Sequence, residues 1–335
     1  MHPLLEKLGD DRQDKLVSRK QPGWMVPMLA TLTGRRFSDG DWIFERKFDG
    51  ERCLVFCEDK EVRLMSRNTK RLNDTYPELV DSFGKVDEKN FIADGEIVAF
   101  EGDVTSFSRL QERMQIRDRS KARRCDVSVY VYLFDLMYLD GFDLCALELR
   151  TRKWILKNLI SFEDPLRYTI HRNENGVEYY REACRKGWEG IIAKRASGRY
   201  LHKRSTDWLK FKCVNRQEFV IGGYTEPGGS RIGFGALLLG YHEGDRLIYA
   251  GKVGTGFDDE TLEDLGDRLS SRERRTSPFA DKERPGKGEH YVTPELVCEV
   301  AFTEWTEEGR LRHPRYLGLR DDKPAEDVVR ERTRT

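Results

Sequence analysis

The lysine at position 47 lies in a short charged segment between two apolar runs, Glu45-Arg46-Lys47-Phe48-Asp49-Gly50-Glu51-Arg52. An amine is a usable nucleophile only when it is deprotonated, so a reactive lysine needs burial or cationic neighbours that lower its pKa. Arg52 is one such neighbour. The glycine permits a turn with positive φ and lets a bulky ligand approach the backbone. The segment predicts a reactive lysine at a turn between two strands, with a surface lysine beside a hairpin turn as the alternative.

Residues that could handle a nucleoside triphosphate recur along the later predicted strands. Arg52 and Arg67 offer planar guanidinium groups to ribose or phosphate oxygens. Glu96 could accept a ribose hydroxyl proton or hold a metal-bound water. Phe134 could stack on a purine ring, the alternative being a phenylalanine of the core. Glu189 is a carboxylate within a strand, and buried carboxylates are rare unless they are paired or metal-bound, which favours Mg²⁺.

Two further lysines, Lys210 and Lys212, alternate with the apolar residues Trp208 and Phe211. This alternation predicts a half-buried strand with both amines on one face. A solvated strand face is the alternative. If the two amines faced Lys47, they would lower its pKa and neutralise an α-phosphate.

The composition fits a globular protein with a large polar surface, since 38% of the 335 residues are apolar and 35% are charged. This length predicts two domains. No run approaches the roughly 20 apolar residues that span a bilayer, and the N-terminus lacks the features of a secretory signal. The seven cysteines form no Cys-x-x-Cys pair, so we expect reduced cysteines in a cytosolic protein, with neither a zinc site nor a disulfide framework.

The net charge is zero and gives no direct support for a nucleic-acid partner. The charge is unevenly distributed, however, because residues 1–213 are mildly basic and residues 214–335 mildly acidic. Basic residues cluster at 117–124 and 268–275. These clusters are either solvated faces or phosphate contacts.

The pattern of apolar runs and turns divides the chain into three parts. Residues 1–24 are polar and are expected to form a mobile or lightly packed extension. Residues 25–213 mix strands and helices, and residues 214–335 are dominated by glycine-rich strands. Five short strands and one helix in the last part fit a small closed barrel such as the OB-fold. The main expected elements of the middle part are a hairpin or bulged strand pair over 91–100, a strand over 127–134, and helices over 76–83, 107–114, 150–160 and 177–186.

The joint order of the motifs resembles that of the ATP-dependent DNA ligases. The first matches the Lys-x-Asp-Gly-x-Arg signature of covalent nucleotidyltransferases, and residues 310–324 resemble the last motif of the family. Within the family, the resemblance is to the ligase module of the bacterial non-homologous end-joining ligase D type, and it runs from about Met25 to Arg332. The motifs between the first and the last are Ser66-Arg67-Asn68, Asp94-Gly95-Glu96, Phe134-Asp135-Leu136, Glu189-Gly190-Ile191-Ile192-Ala193-Lys194 and Trp208-Leu209-Lys210-Phe211-Lys212.

This resemblance implies a role for individual residues. Lys47 would be the adenylated nucleophile, and Glu45 would lie at the adenine, contributing its backbone. The remaining implied roles are ribose and phosphate contacts from Arg52, Arg67 and Glu96, adenine stacking by Phe134, metal binding by Glu189 and Glu96, phosphate contacts from Arg204, Lys210 and Lys212, and orientation of the pyrophosphate by Arg320 and Lys323 of a second domain.

The resemblance also implies an α+β fold class. An adenylation (nucleotidyltransferase) domain of antiparallel sheets and helices over 25–213 would be followed by an OB-fold β-barrel domain over 214–335, with a hinge near 214–217. The implied cofactors are ATP and Mg²⁺ or Mn²⁺. The implied substrate is nicked or broken duplex DNA, sealed in repair or recombination. The resemblance further implies a monomer in the bacterial cytoplasm, which associates with the nucleoid when it is bound to DNA. A Ku-type end-binding protein is a candidate partner under this interpretation, and no membrane partner is expected.

Other functions share parts of this pattern. A GTP-using capping enzyme has the lysine signature but transfers its nucleotide to RNA, and an RNA ligase differs in the substrate that it seals. An NAD-dependent DNA ligase normally carries a four-cysteine zinc module, which these cysteines do not provide. A catalytically inactive DNA-end-binding module would use the barrel alone.

Overall fold

The computed structural model describes residues 1–59, 61–88, 90–229, 231–282 and 284–331. The polypeptide folds as two compact units, the first comprising Met1–Cys213 and the second beginning at Val214. No helix within the described ranges is long and apolar enough to cross a membrane.

The first unit combines short helices with strands. Its helices are α1 (Pro3–Glu6), α2 (Asp10–Gln13), α3 (Pro77–Phe83), α4 (Phe107–Met114), α5 (Arg119–Ala122), α6 (Leu149–Leu159) and α7 (Gly176–Arg185). Its strands are β1 (Val17–Ser18), β2 (Leu29–Leu32), β3 (Trp42–Lys47), β4 (Glu51–Glu58), β5 (Glu61–Ser66), β6 (Asn90–Glu101), β7 (Val104–Thr105), β8 (Val129–Leu139), β9 (Phe142–Asp143), β10 (Leu166–Tyr168), β11 (His171–Asn173), β12 (Gly190–Arg195) and β13 (Arg204–Lys212).

These strands form two sheets. The larger sheet has the order β1-β9-β8-β6-β4-β5, with β10 added to β8 and β7 to β6, and the smaller sheet has the order β11-β3-β12-β13-β2. One face of the larger sheet buries an apolar core that includes Val55, Ala93 and Leu133. One face of the smaller sheet packs Phe44, Ile191 and other apolar side chains with residues of α7. The remaining faces hold the charged residues considered below.

The second unit is built around the long strand β14 (Asn215–Thr225). This strand pairs with β15 along one edge, and with β19 and then β18 along the other. The helix α8 (Asp259–Ser270) is capped by Asp258, whose side chain accepts a hydrogen bond from the Thr261 amide at 2.8 Å. The other elements are β15 (Leu237–Glu243), β16 (Arg246–Val253), β17 (Glu273–Arg274), β18 (Glu289–Val292), β19 (Val297–Phe302), β20 (Glu304–Trp305), β21 (Leu311–Arg312), β22 (Arg315–Leu319) and a 3₁₀ turn (Ala325–Asp327).

Residues 1–24, predicted to form a mobile or lightly packed extension, are anchored to the first unit by three buried side chains. Leu5 is completely buried and Leu8 is 7% exposed, and both belong to the core of the first unit. The buried side chain of Gln21 donates a hydrogen bond to the Cys57 carbonyl oxygen at 2.8 Å. A polar sequence concealed this docking because two leucines are enough to anchor short helices to a core.

Two predicted strand boundaries also need correction. Residues 91–100 form a single continuous strand, β6, so the hairpin alternative at Asp94-Gly95 is wrong. The bulged alternative agrees with the shift in register against β8 at these two residues. The strand predicted over 127–134 continues to Leu139, which places Phe134 inside β8 and not at its end. Pairing with a neighbouring strand explains both differences. β4 pairs with β6 on both sides of Asp94-Gly95, and β6 pairs with β8 beyond Phe134.

The segment between the units is more ordered than the predicted hinge over 214–217. Asn215, Arg216 and Gln217 pair with β19 as the first residues of β14. Only Val214 of the four lies outside a strand, and it is 47% exposed. A hinge over this segment remains a prediction.

The structure contains a disulfide between Cys184 in α7 and Cys213 at the end of the first unit. The expectation that all cysteines are reduced is therefore wrong for this pair. The other five cysteines are free thiols, in agreement with the expectation. The two bonded residues are 29 positions apart in sequence, so no local spacing could have predicted the bond.

Candidate active site between the two sheets of the first unit

The smaller sheet carries its polar functional residues on one face. Across β3, β12 and β13, Lys47 lies opposite Gly190, which lies opposite Lys212. In the next row Glu45 lies opposite Ile192, which lies opposite Lys210. Because directly paired residues share a face, and residues two apart along a strand return to it, both rows project from the same side of the sheet. The predicted shared face of Lys210 and Lys212 is confirmed.

Lys47 is the last residue of β3 and is held by an ion pair. Its Nζ lies 2.5 Å from Oε2 of Glu189, whose side chain is 4% exposed. Burial alone would lower the pKa of Lys47, but the carboxylates of Glu189, Glu96 and Asp49 outweigh burial and hold that pKa above its ordinary value. The expectation of a lowered lysine pKa is therefore wrong for this structure, in which Lys47 is a protonated amine paired with Glu189.

Two glycines near Lys47 are required by close backbone contacts. A Cβ on Gly50 would lie 2.2 Å from the Ile97 carbonyl oxygen, and one on Gly190 would lie 2.0 Å from the Phe211 carbonyl oxygen. Gly190 also has a φ of +149°. The φ of Gly50 is not in the left-handed region, so the predicted positive-φ turn is wrong there and the need for glycine comes from strand β6.

Glu45 is bound by two buried lysines. Its Oε1 lies 2.5 Å from Nζ of Lys153 in α6, and its Oε2 lies 2.6 Å from Nζ of Lys194 in β12. All three side chains are at most 2% exposed. Burial would raise the pKa of the Glu45 carboxyl, but Lys153 and Lys194 outweigh it and keep that pKa below its usual range. The side chain is thus committed to this triad, which is consistent with a ligand contact through the backbone.

The larger sheet faces this layer with an arginine and an aromatic ring. Arg52 makes a two-pronged contact with Asp94, with N–O distances of 2.5 and 2.6 Å, and its guanidinium lies 4.7 Å from the centre of the Phe134 ring. The Lys194 amine lies 4.1 Å from the same ring. Phe134 is 7% exposed and belongs to a small apolar cluster with Trp208. Stacking of this ring on adenine remains a prediction.

The other predicted phosphate and ribose contacts are placed by three elements. Arg67 lies in the turn after β5, and Glu96 lies in β6 opposite Arg52. Arg204 opens β13 and donates a hydrogen bond to the Ala30 carbonyl oxygen. The Glu96 carboxylate interacts electrostatically with both Lys47 and Arg52. It raises the pKa of each cation, although its effect is smaller than those of burial and of the closer partners Glu189 and Asp94.

The two candidates in the second unit are engaged within that unit. The Arg320 guanidinium contacts both carboxylate oxygens of Asp322 at 2.8 Å and lies 3.5 Å from Glu299. Lys323 lies 3.1 Å from Glu218. Their predicted contact with pyrophosphate requires them to exchange these carboxylates for phosphate oxygens.

No cluster of three or more metal-ligating side chains exists in the part of the chain that the structure describes. Mg²⁺ does not require such a cluster, because it is usually bound by one or two carboxylates together with waters and substrate phosphates. Glu189 and Glu96 both act on Lys47 and supply such a carboxylate pair. The donor set fits the predicted ion.

Sequence reasoning quoted Lys194 and Asp94 within motifs but gave neither a role, and it missed Lys153 altogether. It also missed the pair of Arg152 in α6 with Asp135, in which both side chains are completely buried at N–O distances of 2.7 and 2.9 Å. Lys194 follows the apolar residues of β12, and this position was the sequence feature that could have indicated a buried lysine. Nothing local distinguishes Arg152 from a surface arginine of a helix.

The arrangement is that of a covalent nucleotidyltransferase: a lysine at a strand end, a paired carboxylate and a row of cations on one face. Residues 27–212 match the family model "ATP dependent DNA ligase domain", and residues 230–323 match "ATP dependent DNA ligase C terminal region". The chain belongs to the ATP-dependent DNA ligase family. The expected α+β fold, with a nucleotidyltransferase domain followed by an OB-fold domain, is confirmed.

Individual relatives narrow the resemblance. The chain is 39% identical over 320 residues to the multifunctional non-homologous end joining protein LigD of Pseudomonas aeruginosa, covering 93% of this chain and 37% of that protein. It is 37% identical over 315 residues to the LigD protein of Mycobacterium bovis, covering 92% of this chain and 40% of that protein. The chain thus spans about two-fifths of the length of these curated relatives.

A solved structure resembles nearly the whole chain. Mycobacterial DNA ligase D complexed with ATP and MES is 35% identical, with a TM-score of 0.66, and the match covers 92% of this chain and 98% of that one. The ligase D resemblance drawn from the motifs is confirmed.

Proposed function

We propose that this chain is an ATP-dependent DNA ligase that seals breaks between a 5′-phosphate and a 3′-hydroxyl in duplex DNA through a lysyl-AMP intermediate. The observation that carries the proposal is the position of Lys47. It ends β3 beside a buried carboxylate, and it shares a sheet face with Lys210 and Lys212. Family membership supports the same chemistry.

In the first step Nζ of Lys47 attacks the α-phosphate of ATP, forming a phosphorus–nitrogen bond as the bond to pyrophosphate breaks. Lys47 must first lose a proton, and its ion pair with Glu189 at 2.5 Å opposes that loss by raising the lysine pKa. Lys210 and Lys212 would neutralise phosphate charge. Arg52, Arg67 and Glu96 would hold ribose and phosphate, Arg204 would contact phosphate, and Phe134 would stack on the adenine above the backbone of Glu45.

Bound Mg²⁺, or Mn²⁺ in its place, would neutralise phosphate charge and orient the leaving group. Glu189 and Glu96 would hold it. Glu189 would then have to release Lys47, and the lysine pKa would fall because its principal carboxylate partner is engaged elsewhere. The raised pKa of the paired lysine and the need for a free amine are reconciled in this way.

The next two steps use DNA. The 5′-phosphate of the break attacks the lysyl-AMP phosphorus, which frees Lys47 and leaves AMP on the DNA end. The 3′-hydroxyl then attacks that activated phosphate, forming the phosphodiester and releasing AMP. Arg320 and Lys323 would act in the first step by orienting pyrophosphate, and a hinge over 214–217 would allow the second unit to serve both stages.

The biological setting is proposed from the relatives. Two of them are non-homologous end joining proteins by name and are much longer than this chain. We infer that the chain joins broken DNA in repair as a monomer, in the bacterial cytoplasm and at the nucleoid when bound to DNA. A Ku-type end-binding protein would be its partner there.

The experiment that tests the chemistry is covalent labelling. The wild-type protein and Lys47→Ala are incubated with Mg²⁺ and α-labelled ATP, GTP or NAD, and then separated by denaturing electrophoresis. We expect a labelled band from ATP alone, absent in the variant. Lys7→Ala, which changes a lysine outside the site, is the matched control and should label normally.

The second measurement is nick sealing on duplex DNA and on an RNA duplex of the same sequence. Sealing of DNA in preference to RNA supports the proposal over an RNA ligase. A band from GTP would indicate a capping enzyme. Absence of a band with any nucleotide, from folded protein whose mass shows no bound AMP, would refute the ligase proposal and favour a binding module.

A further inference from the structure

A cavity in the first unit is lined in part by Arg46, the residue before the reactive lysine. It has a volume of about 750 Å³, and the aromatic and cationic residues of its lining include Arg46, Phe100, Tyr130, Arg167, Lys186 and Trp188. Arg46 directly precedes Lys47 in β3, and successive residues of a strand project to opposite faces, so this cavity is not the face that carries Lys47, Lys210 and Lys212. None of the roles proposed above uses it.

Arg46 places a guanidinium group in the wall of this cavity, which also includes Asp103. Its guanidinium lies 4.3 Å from the centre of the Trp188 ring and 5.4 Å from that of Phe48. Its Nε is buried and has no hydrogen-bond partner among the described residues, and Nη2 reaches only the Asp103 carbonyl oxygen, at 3.4 Å. The guanidinium thus retains unused hydrogen-bonding capacity, and guanidinium groups form strong charge-assisted bonds with phosphate oxygens.

The remainder of the lining supplies flat apolar surfaces beside positive charge. Arg167 lies 3.8 Å from the centre of the Tyr130 ring, and Lys186 lies 5.2 Å from that of Trp188. Asp164 neutralises much of the charge of Arg167 through contacts of 2.6 and 2.8 Å. Lys186 is likewise paired with Glu182 at 2.6 Å. Arg46 is therefore the cation of the lining best placed for a ligand anion. Aromatic rings interleaved with cations are the pattern that holds unpaired nucleotides by base stacking and phosphate contact.

The volume also fits such a ligand, since it lies within the range of roughly 300–1,000 Å³ typical of sites for small molecules. One unpaired nucleotide can enter, whereas a duplex cannot. We propose that this cavity binds one unpaired nucleotide of a DNA strand at a break, with its base on Trp188 and its phosphate on Arg46. The proposal rests on the proposed function for its choice of DNA as the source of the nucleotide.

The geometry also links this cavity to the reactive site. Arg46 and Trp188 immediately precede Lys47 and Glu189, the two members of the ion pair. Phe48, on the other side of Lys47, stacks on Tyr132 of the cavity wall with ring centres 4.2 Å apart. An occupied cavity would thus fix the strand ends that carry the nucleophile and its carboxylate.

Binding of a fluorescein-labelled single-stranded oligothymidylate tests the proposal. Anisotropy is measured on the full chain as purified and again after incubation with ATP and Mg²⁺, which fills the adenylation site. Trp188→Leu is expected to weaken binding by about tenfold, within the range of roughly 5- to 150-fold for loss of one base-stacking contact, and Trp188→Phe should restore part of it. Arg46→Gln should lower the slope of log affinity against log salt by about 0.7, the value for one phosphate contact on a single strand.

Two further variants keep the test decisive. Lys186→Gln removes a cavity cation whose side chain is 53% exposed, so it should fold normally and weaken binding in a salt-dependent manner. Arg195→Gln is the matched control, because Arg195 lies over the Trp42 ring at 5.0 Å on the same sheet but outside the cavity. It should bind as the wild type does.

Several outcomes would overturn the inference. These are wild-type binding by Arg46→Gln and Trp188→Leu, an equal loss of affinity for blunt duplex DNA, and displacement of the oligonucleotide by inorganic phosphate as effectively as by thymidine monophosphate at equal phosphate concentration. The last would indicate a site for small anions. ATP labelling of Lys186→Gln, which changes a half-exposed side chain, is expected to be unchanged. Failure of labelling in the wild type, with the oligonucleotide effects intact, would refute the ligase proposal and leave this site standing.

Discussion

The Nζ atom of Lys47 lies 2.5 Å from Oε2 of Glu189, and the residue after Glu189, Gly190, is paired directly with Lys47 in the sheet. The ion pair is therefore set by the register of β3 and β12. Because Gly190 has no side chain, nothing on β12 stands between the lysine and Lys212 in the same row. Proton release from Lys47 depends on what happens to Glu189.

The first prediction concerns Glu189→Gln. Loss of the nearest carboxylate should lower the pKa of Lys47, since Glu189 is the largest influence that raises it. The acid limb of the rate of lysyl-AMP formation should then move to lower pH. The maximal rate should still fall, by about 10²–10³-fold, because the carboxylate would also hold the metal.

Single-turnover labelling with ATP across a range of pH measures both effects. Asp81→Asn, which alters an exposed carboxylate paired with Arg119 and Arg123, is the control and should match the wild type. A Glu189→Gln variant with an unshifted profile would show that this carboxylate does not govern the lysine proton.

Period-two alternation made part of the site predictable. In β13 the apolar and cationic residues alternate, and the structure places Lys210 and Lys212 on one face as the pattern indicates. No such pattern marks the buried side of α6, where Arg152 and Lys153 are buried and Trp154 is 42% exposed. The carboxylates that pair with these buried cations, Asp135 and Glu45, lie outside the helix in sequence. From the helix sequence alone the tryptophan would be expected to be buried and the two cations exposed, which is the opposite of what the structure shows.

The pKa of Lys47 could not be predicted for a similar reason. The sequence places cations near the lysine along the chain, whereas its closest charged partner, Glu189, is 142 residues away. The need for glycine at position 50 was predicted, but its cause was not. Only the fold reveals that the Ile97 carbonyl oxygen occupies the space of a Cβ.

The second prediction concerns the Glu45 triad. Glu45→Gln leaves Lys153 and Lys194 buried without a counter-charge, and such a loss costs about 3–5 kcal/mol of unfolding free energy. Urea unfolding measures the change. Glu61→Gln is the matched control, because the contact of Glu61 with Arg71 at 3.5 Å joins two side chains that are about 60% exposed. That change should cost no more than about 1 kcal/mol, and equal costs for both variants would contradict the prediction.

The third prediction concerns Gly190→Ala. The added Cβ meets the Phe211 carbonyl oxygen at 2.0 Å and imposes a side chain on a φ of +149°. We expect a loss of at least about 1–3 kcal/mol in stability and of ATP labelling, since β12 and β13 must separate. Gly23→Ala, where a Cβ meets nothing within 4 Å, should be neutral in both assays. A normally labelled Gly190→Ala protein would show that this strand contact is not needed.

The fourth prediction is an acid-sensitive stability that depends on His171. Burial first, and then Lys153, Arg150 and Lys194, lower its pKa from 6.5 to about 4, although Glu45 acts in the opposite direction. Its buried Nδ1 has no hydrogen-bond partner among the described residues. Between pH 6.5 and 4 the unfolded chain therefore binds a proton at this histidine that the folded chain resists.

The sign follows directly from this difference in proton binding. The contribution of neutral His171 to stability is complete above pH 6.5 and is lost as the pH falls toward 4. Urea unfolding of the wild type should show this loss, and His171→Gln should have a shallower pH dependence over the same window because glutamine does not titrate. His202→Gln changes an exposed histidine of the same unit and should retain the wild-type slope. Parallel curves for the wild type and His171→Gln would mean that other groups dominate the acid response.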